Sequence, residues 1–135
     1  MVQLDEGAYA PTRAHDTDAG LDLYAMVDGI IQPHDSLTFD TGVHVELPKG
    51  TAGLLVSKSG LNVKFDVLST GLIDENYSGA IKVKLYNHGT HEYKVKRGDK
   101  ISQLVIMPVL YENVDIVDAI DIKGRGNNGF GSTGR

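Results

Sequence analysis

The sequence predicts an all-β domain of the jelly-roll type, either a sandwich or a barrel. Residues 43–47 and 81–85 alternate β-branched and polar side chains, as half-buried strands do, whereas helical spacing is scarce. Proline, glycine, asparagine and aspartate separate many short segments, which is typical of such folds. Four further strands are expected at residues 36–40, 54–57, 92–95 and 101–107.

Residues 102–110 are almost continuously apolar, unlike the alternating segments. Such a strand is expected to be buried on both faces or to lie at a contact between subunits. A homo-oligomer would explain this composition. The chain shows no internal repeat and no linker, so we expect one domain over residues 1–123, followed by a glycine-rich segment over residues 124–135.

The composition restricts the classes of partner. Thirteen Lys and Arg residues against 18 Asp and Glu residues give a net charge of −5, which argues against nucleic acid or an anionic membrane as the main partner. A small anionic ligand is still compatible with a few local cations. No cysteine is present, which excludes disulfides, thiolate nucleophiles and cysteine-ligated zinc. Without a signal-like start or an apolar run of about 18 residues, we expect a cytoplasmic protein.

The segment 124–135 contains five glycines around Arg125, Phe130, Ser132 and Thr133. It buries too little apolar area to order itself. Glycine lets backbone N–H groups approach an anion, the hydroxyls and Arg125 add donors, and Phe130 offers a flat face to a base. The segment is therefore either a disordered tail or an arm that a nucleotide polyphosphate orders. It is not a Walker A loop, because no lysine follows the glycines.

Other polar side chains stand among apolar neighbours. Asp22 needs a partner, and it either accepts hydrogen bonds in a turn or contacts Mg²⁺ through water. Lys58 and Ser59 follow a predicted strand beside Gly60, which is typical of a surface turn or of a phosphate site. Gln103 lies within an apolar strand and must also find partners.

Residues 71–79 bring Asp74 and Tyr77 to a turn. Asp74 either starts a plain hairpin turn or acts as a general base that holds a water, with the Tyr77 ring against a sugar. His88 and His91 lie in a polar turn with no third ligand nearby, so we assign both to solvent.

Taken in order, these stretches resemble the five motifs of the trimeric deoxyuridine triphosphate nucleotidohydrolases (dUTPases). The resemblance spans nearly the whole chain, and its third and fifth motifs are specific. The motifs correspond to residues 11–25, 57–61, 71–79, 98–108 and 125–134. The resemblance implies a distorted jelly-roll β-barrel assembled as a homotrimer, with active sites at subunit interfaces and a flexible C-terminal arm that closes over the nucleotide.

The resemblance also implies hydrolysis of dUTP to dUMP and pyrophosphate with Mg²⁺ as cofactor, which limits uracil incorporation into DNA and supplies dUMP for dTMP synthesis. Asp74 would activate the water that attacks the α-phosphorus, Tyr77 would exclude a 2′-hydroxyl, and Asp22 would hold the Mg²⁺ hydration shell through water. The other implied substrate-binding residues are Lys58, Ser59, Gly60, Leu72, Ile73, Gln103, Arg125, Phe130, Gly131, Ser132 and Thr133. Among these, Phe130 would stack on uracil.

Two positions depart from the family pattern. Lys58 stands where the family usually has arginine, and lysine provides a compact charge instead of a planar two-pronged donor. Phosphate binding is expected to survive with looser orientation. The expected hairpin before Gly71 carries residues 68–70, which include no side-chain amide to read uracil. Base selection is therefore expected to fall to backbone groups.

Two alternative functions are compatible with the same motifs. The related dCTP deaminases share the fold and the trimer, but deamination needs a glutamate at the base, and the pairing of Asp74 with Tyr77 resembles the hydrolase. A regulatory protein would instead keep the nucleotide site as a switch, with the arm ordered by the ligand. Turnover of dUTP separates the enzyme from the switch.

Overall fold

The computed structural model of the chain describes residues 1–131, 133 and 134, and its architecture is almost entirely β. Within this described part, ten strands and one short helix follow one another along the chain. They are β1 (Val2–Leu4), β2 (Gly20–Tyr24), β3 (Gly29–Ile31), β4 (Ser36–Asp40), β5 (Val43–Val45), β6 (Thr51–Val56), α1 (Ser59–Phe65), β7 (Val67–Ile73), β8 (Lys82–Asn87), β9 (Tyr93–Val95) and β10 (Lys100–Pro108). The prediction of an all-β domain is confirmed.

The main sheet contains six strands in the order β2-β10-β6-β7-β8-β4, and the pairs β1-β5 and β3-β9 form two small sheets. Every pairing among the described strands is antiparallel. β7 changes partner along its length, since residues 67–69 pair with β8 and residues 70–73 pair with β6. This change, together with the twist of each strand, curls the sheet around one core.

The core is a single cluster of apolar side chains, and the predicted alternation accounts for much of it. In residues 43–47 the valines and the leucine are buried, whereas His44 and Glu46 are not; in residues 81–85 the apolar residues are buried and both lysines are exposed. The largest fully buried apolar side chains are Phe39, Leu23, Ile31, Ile81, Leu85, Ile101 and Leu104. Burial of each such side chain stabilises the fold by about 1.5–3 kcal/mol, so the core fixes the strand ends that carry the site.

The helix α1 and the long strand β7 were not predicted. α1 begins after Lys58, whose backbone is extended, and ends at Asp66 in the left-handed conformation with φ 55°. None of its residues is fully buried, and Val63 is 81% exposed, so no apolar periodicity marks it. Residues 68–70, expected in a hairpin, lie instead inside β7.

β10 and the chain beyond it are only partly covered within one copy of the protein. Ile106 and Met107 are 41% and 46% exposed, although the strand has a partner on each edge. Residues 109–123 have no assigned helix or strand, and their large apolar side chains lie in solvent. Those more than 80% exposed are Leu110, Val114, Ile116, Ile120 and Ile122. Among the described residues, no helix is long and apolar enough to cross a membrane.

Candidate active site

Asp22 lies in the middle of β2 and is 3% exposed. One carboxylate oxygen accepts a hydrogen bond from the Lys58 ammonium, and the other lies 2.9 Å from the Lys100 Nζ. Burial raises the pKa of the Asp22 carboxyl, but the hydrogen bonds and charges of the two lysines outweigh burial and hold this pKa below its ordinary value of 3.8. At neutral pH the cluster therefore contains one carboxylate and two ammonium groups, with a positive net charge.

A cavity of about 350 Å³ opens beside this cluster. The register of β2 against β10 sets Asp22 opposite Gln103. Gln103 donates from Nε2 to the Ser57 carbonyl at 3.1 Å, which confirms that this polar residue finds a partner in its apolar strand. Glycine at position 20 leaves room for the amide, since a Cβ on Gly20 would lie 2.2 Å from Gln103 Oε1. The cavity is lined by Ala14, Asp18, Ala19, Gly20, Asp22, Val56, Lys58, Gln103 and Val105.

Three serines fix the chain at the point where it turns into the Lys58 segment. Ser57 Oγ donates to the Ser69 carbonyl at 3.0 Å and accepts from the Ser69 N–H at 2.9 Å. Ser102 Oγ donates to the Val56 carbonyl at 3.1 Å and lies 2.8 Å from Ser69 Oγ. Ser69 and Ser102 are buried. Because these bonds join β6, β7 and β10, Lys58 leaves from a fixed position, and Ser59 follows it as the exposed first residue of α1.

Asp74 follows β7 directly and is exposed in a turn that also presents Tyr77. The Tyr77 N–H donates to the Asp74 carbonyl at 3.0 Å, and the Tyr77 hydroxyl donates to the Ala80 carbonyl at 3.0 Å. The ring lies against Gly79, where a Cβ would approach Tyr77 Oη to 2.4 Å. Asp74 thus starts a turn, as the plain hairpin interpretation expects. Its carboxylate also lines an open cavity of about 920 Å³.

The same cavity ties the turn to the C-terminal part of the chain. The Tyr111 hydroxyl donates to Glu75 Oε2 at 2.6 Å, and this hydrogen bond raises the pKa of Tyr111. Leu72 is 66% exposed beside the turn, whereas Ile73 is buried at 8%. The lining residues of the cavity are Glu46, Leu47, Lys49, Ala52, Leu72, Asp74, Glu75, Asn76, Val109 and Tyr111.

β6 separates Asp22, Lys58 and Lys100, here named the lysine cluster, from the turn of residues 74–77, here named the Asp74 turn. Gly53 pairs with the residue that precedes Asp74, whereas Val56 pairs with Gln103. Asp74 and Lys58 therefore lie near opposite ends of β6, about six residues or roughly 20 Å of extended chain apart.

The described part of the arm is held by short-range hydrogen bonds. Arg125 Nε donates to the Asn128 carbonyl at 3.1 Å, and the Gly126 N–H donates to the Lys123 carbonyl at 2.8 Å. The Phe130 side chain is fully exposed, Gly131 has a φ of +82°, and Thr133 is exposed. Ser132 lies outside the described residues.

The donor set of Asp22 fits a hydrated Mg²⁺ better than a directly bound one. A carboxylate offers roughly four acceptor positions, and the lysines occupy two of them, so what is left suits a water of a Mg²⁺ hydration shell. Among the described residues, no three histidine, aspartate or glutamate side chains are placed to hold a metal ion. His88 stacks on Tyr86 with centroids 6.4 Å apart, and His91 shares a hydrogen bond with Thr90 at 3.1 Å.

Lys100 and the serine contacts were not predicted from the sequence as parts of this region. Lys100 reaches Asp22 across the β2-β10 pairing, which shifts register between Lys100 and Ser102. A bulge of this kind is not visible from alternation alone. The one available signal was that an acid among apolar neighbours needs partners, which two lysines provide here.

These features define an all-β protein with a polar cavity beside a buried aspartate and two lysines, and with an aspartate–tyrosine turn. The family model described as dUTPase matches residues 6–134. The deoxyuridine 5′-triphosphate nucleotidohydrolase of Clostridium acetobutylicum is 41% identical over 137 residues, covering 99% of this chain and 94% of that protein. The chain belongs to the dUTPase family.

Solved structures agree with this assignment. The dUTPase of Staphylococcus bacteriophage 80alpha with dUPNHPP superposes with a TM-score of 0.94 at 28% identity, covering 100% of this chain and 98% of that chain. A variant dUTPase from phage phi11 of S. aureus, described as showing the coordination of a structural Mg(II) ion, gives a TM-score of 0.81 at 28% identity over 88% of this chain and 96% of that chain. The predicted fold class is therefore that of known dUTPases.

Proposed function

We propose that this protein hydrolyses dUTP to dUMP and pyrophosphate and is thus a dUTP diphosphatase. The observation that carries the proposal is the exposed Asp74 carboxylate directly after β7, in one turn with Tyr77, in a chain that matches the dUTPase family almost throughout. The dUTP analogue bound to the 80alpha dUTPase supports dUTP as the substrate. The activity limits uracil incorporation into DNA and supplies dUMP for dTMP synthesis.

In this reaction Asp74 acts as the general base. It takes a proton from a water molecule while the water oxygen forms a bond to the α-phosphorus and the bond from that phosphorus to the bridging oxygen breaks. Pyrophosphate leaves in line with the attacking water, and dUMP is the other product. A second cavity of about 240 Å³, lined by Asp74 and Tyr77 together with Leu72, Ile73 and Lys82, has room for the water beside the carboxylate.

The lysine cluster supplies the charge that the triphosphate needs. Lys58 and Gln103 contact phosphate oxygens together with Ser59, and the Lys58 ammonium attracts the polyanion. Mg²⁺, when bound, neutralises phosphate oxygens and orients them for displacement. Asp22 holds the hydration shell of this ion through water. The structural Mg(II) ion described for the phi11 dUTPase supports Mg²⁺ as the cofactor.

Recognition of the nucleoside falls to the turn and to β7. The Tyr77 ring, held through its hydroxyl, packs on the deoxyribose and excludes a 2′-hydroxyl. Residues 70–73 of β7 pair with β6, and β8 pairs with residues 67–69, so in the described chain the β8-side edge of residues 70–73 has backbone groups available to uracil. Gly60, Leu72 and Ile73 complete the substrate contacts.

We further propose that the site forms between copies of the chain in a homotrimer. The spacing of roughly 20 Å between Asp74 and Lys58 along β6 supports a site in which one nucleotide meets them on different copies. The exposed apolar side chains of residues 109–123 give a second reason, because such a surface favours association. The domain of residues 1–123 then provides two parts of each site, and the arm of residues 124–135 provides the third.

In the closed site the arm binds the far end of the nucleotide. Arg125, Ser132 and Thr133 contact the terminal phosphate, Gly131 offers its backbone N–H, and Phe130 stacks on uracil. The Phe130 ring is fully exposed, so its face is accessible to a base.

Steady-state turnover of dUTP with Mg²⁺, followed as pyrophosphate release, tests the proposal. The expected result is stoichiometric dUMP and pyrophosphate with dUTP, and much lower turnover with dTTP, dCTP or UTP. Tight binding of dUPNHPP without turnover of dUTP would instead indicate a regulatory nucleotide switch. Release of ammonia from dCTP would indicate a deaminase.

A further inference from the structure

His44 in β5 has a hydrogen-bond acceptor at each ring nitrogen. Its Nδ1 lies 2.8 Å from the Ser78 carbonyl oxygen, and its Nε2 lies 3.1 Å from Asp5 Oδ1. A carbonyl oxygen and an ionised carboxylate accept hydrogen bonds and cannot donate them. Neutral imidazole has one N–H, so both contacts form together only when His44 is protonated.

We propose that protonated His44 is a positioning residue for the turn that carries Asp74 and Tyr77, because the imidazolium fastens the Ser78 carbonyl to β5 and to Asp5. The inference rests on the proposed function of this turn. It assigns His44 no contact with substrate.

The path from His44 to the site is short. Ser78 follows Tyr77 directly, and the Tyr77 ring is folded over Gly79 with its hydroxyl on the Ala80 carbonyl. A displacement of the Ser78 carbonyl therefore displaces the ring that would meet the sugar. The turn has few apolar contacts of its own, since Tyr77 is 43% exposed, so this polar contact weighs more than it would in a packed loop.

His44 itself lies in β5, and its neighbours in this strand are fixed by burial and hydrogen bonds. His44 is flanked by Val43 and Val45, which are 1% and 8% exposed. The Ile81 N–H donates to the Val43 carbonyl at 2.8 Å, and Gln3 of β1 pairs with His44 in register. The imidazolium thus joins the turn to a strand that the core holds in place.

The charges around His44 favour its protonated form. The hydrogen bond to the Ser78 carbonyl is the largest cause that raises the pKa of His44 above its ordinary value of 6.5, burial opposes it, and Asp5 and Asp40 add to it. Glu46 and the Met1 ammonium share the shallow cavity beside His44, and the ammonium donates to the Glu46 carbonyl at 3.1 Å. The pair of contacts is therefore intact on the acid side of neutrality, and one of the two is lost as the pH rises.

Binding of dUPNHPP with Mg²⁺, and the KM and kcat for dUTP, are to be measured from pH 5.5 to 8.5 for the parent, His44→Gln and Asp5→Asn. His88→Gln, which removes an exposed histidine elsewhere, is the matched control. The ratio of variant to parent values at each pH cancels the titration of the nucleotide itself. At low pH, His44→Gln is expected to raise KM and the dissociation constant about two- to tenfold, the range that one hydrogen bond spans. The ratio should approach one at high pH, with kcat changed less than KM.

Asp5→Asn keeps a hydrogen-bond acceptor but removes the negative charge. The inflection of its binding-versus-pH curve should therefore move to lower pH, and below this inflection the variant should bind dUPNHPP as the parent does. His88→Gln should follow the parent throughout. A ratio for His44→Gln that stays at one at every pH would overturn the inference.

An NMR titration gives a readout that does not depend on catalysis. The His44 ring signal, identified by its loss in His44→Gln, should titrate above 6.5 and should move to lower pH in Asp5→Asn, and the Tyr77 ring signals should follow the same titration. A His44 signal that titrates at or below its ordinary value, or Tyr77 signals that ignore it, would overturn the inference. Failure of the proposed function would instead appear as absent dUTP turnover while the coupled His44 and Tyr77 titrations persist.

Discussion

Asp22 has the most constrained environment among the single residues of the site. It lies within β2 between Leu21 and the fully buried Leu23, where an unpaired carboxylate would be strongly unfavourable. Lys58 and Lys100 approach it from two different elements and neutralise it. The cavity beside this cluster is lined by Lys58, Asp22 and Asp18, so a phosphate that enters meets a cationic donor next to two acidic residues.

The buried carboxylate leads to a prediction on stability. Asp22→Asn should lower the free energy of unfolding at neutral pH by about 1–3 kcal/mol, because the hydrogen bonds to charged groups are lost and two ammonium groups are left facing each other. The folded-state pKa of Asp22 lies below 3.8, so this contribution is present above pH 3.8 and is lost as the pH falls through the folded pKa. Urea unfolding of parent and variant should therefore differ at pH 7 and converge once the pH has fallen below the folded-state pKa of Asp22.

The proposed base leads to a prediction on catalysis. Asp74→Asn should bind dUPNHPP nearly as the parent does but lose about a hundredfold to ten-thousandfold in kcat, since the amide keeps the size and an acceptor but takes no proton. Asp66→Asn is the matched control, because asparagine readily adopts the left-handed conformation found there. A kcat for Asp74→Asn equal to that of the parent would show that Asp74 is not the general base.

At the scale of residues, the sequence predicted which polar side chains require a partner more reliably than it predicted which residue the partner is. It indicated that Asp22 and Gln103 each need a polar partner, and each has one: Asp22 contacts two lysines, and Gln103 donates to the Ser57 carbonyl. It did not identify Lys100 as a partner of Asp22, because that contact depends on a register shift in the β2-β10 pairing. The serine contacts between β6, β7 and β10 join residues far apart in sequence and depend on the strand order as well.

At the scale of elements, burial decides which segments the sequence reveals. β4 was predicted with its observed bounds, Ser36–Asp40, and β5 and β8 follow their alternation. α1 lies on the surface with no buried residue, so the sequence has no apolar period there, and its ends are set by an extended Lys58 and a left-handed Asp66. The arm also lacks buried residues. Its glycines predict that it adds nothing to the apolar core, but they do not predict where the segment lies.

The arm leads to a prediction at this scale. Deletion of the residues after Lys123 should leave the fold and its thermal unfolding unchanged, because Phe130 is the one large apolar side chain of the arm and is fully exposed. Turnover of dUTP should nevertheless collapse, because water then reaches the phosphates and Arg125 is lost.

A milder change is expected for Phe130→Ala. Loss of one stacking contact should weaken dUPNHPP binding by about 1–3 kcal/mol, by analogy with bases stacked on aromatic rings. Protection of the parent arm from protease by dUPNHPP with Mg²⁺ gives an independent measurement. Full activity of the truncated protein would show that the arm is a disordered tail.

At the scale of the whole molecule, the two halves of the proposed site do not meet within one copy. β6 holds the lysine cluster near one end and the Asp74 turn near the other, and residues 109–123 expose apolar side chains that a single copy leaves in solvent. A composition with a continuously apolar strand suggested an oligomer. The number of copies and the side chains that each one contributes depend on docking between surfaces, which alternation and composition do not encode.

A mixing experiment tests this arrangement. Asp74→Asn chains carry an intact arm, and arm-deleted chains carry an intact Asp74, so each protein alone should be inactive. If each site takes Asp74 from one copy and the arm from another, chains refolded together at equal amounts should regain activity at roughly a quarter of the sites, the fraction in which an arm-deleted copy supplies the base and an Asp74→Asn copy supplies the arm. Light scattering should report three times the chain mass for both parents and for the mixture. Inactivity of a mixture that has the trimer mass would mean that base and arm belong to the same copy, whereas a monomer that hydrolyses dUTP would contradict the shared site altogether.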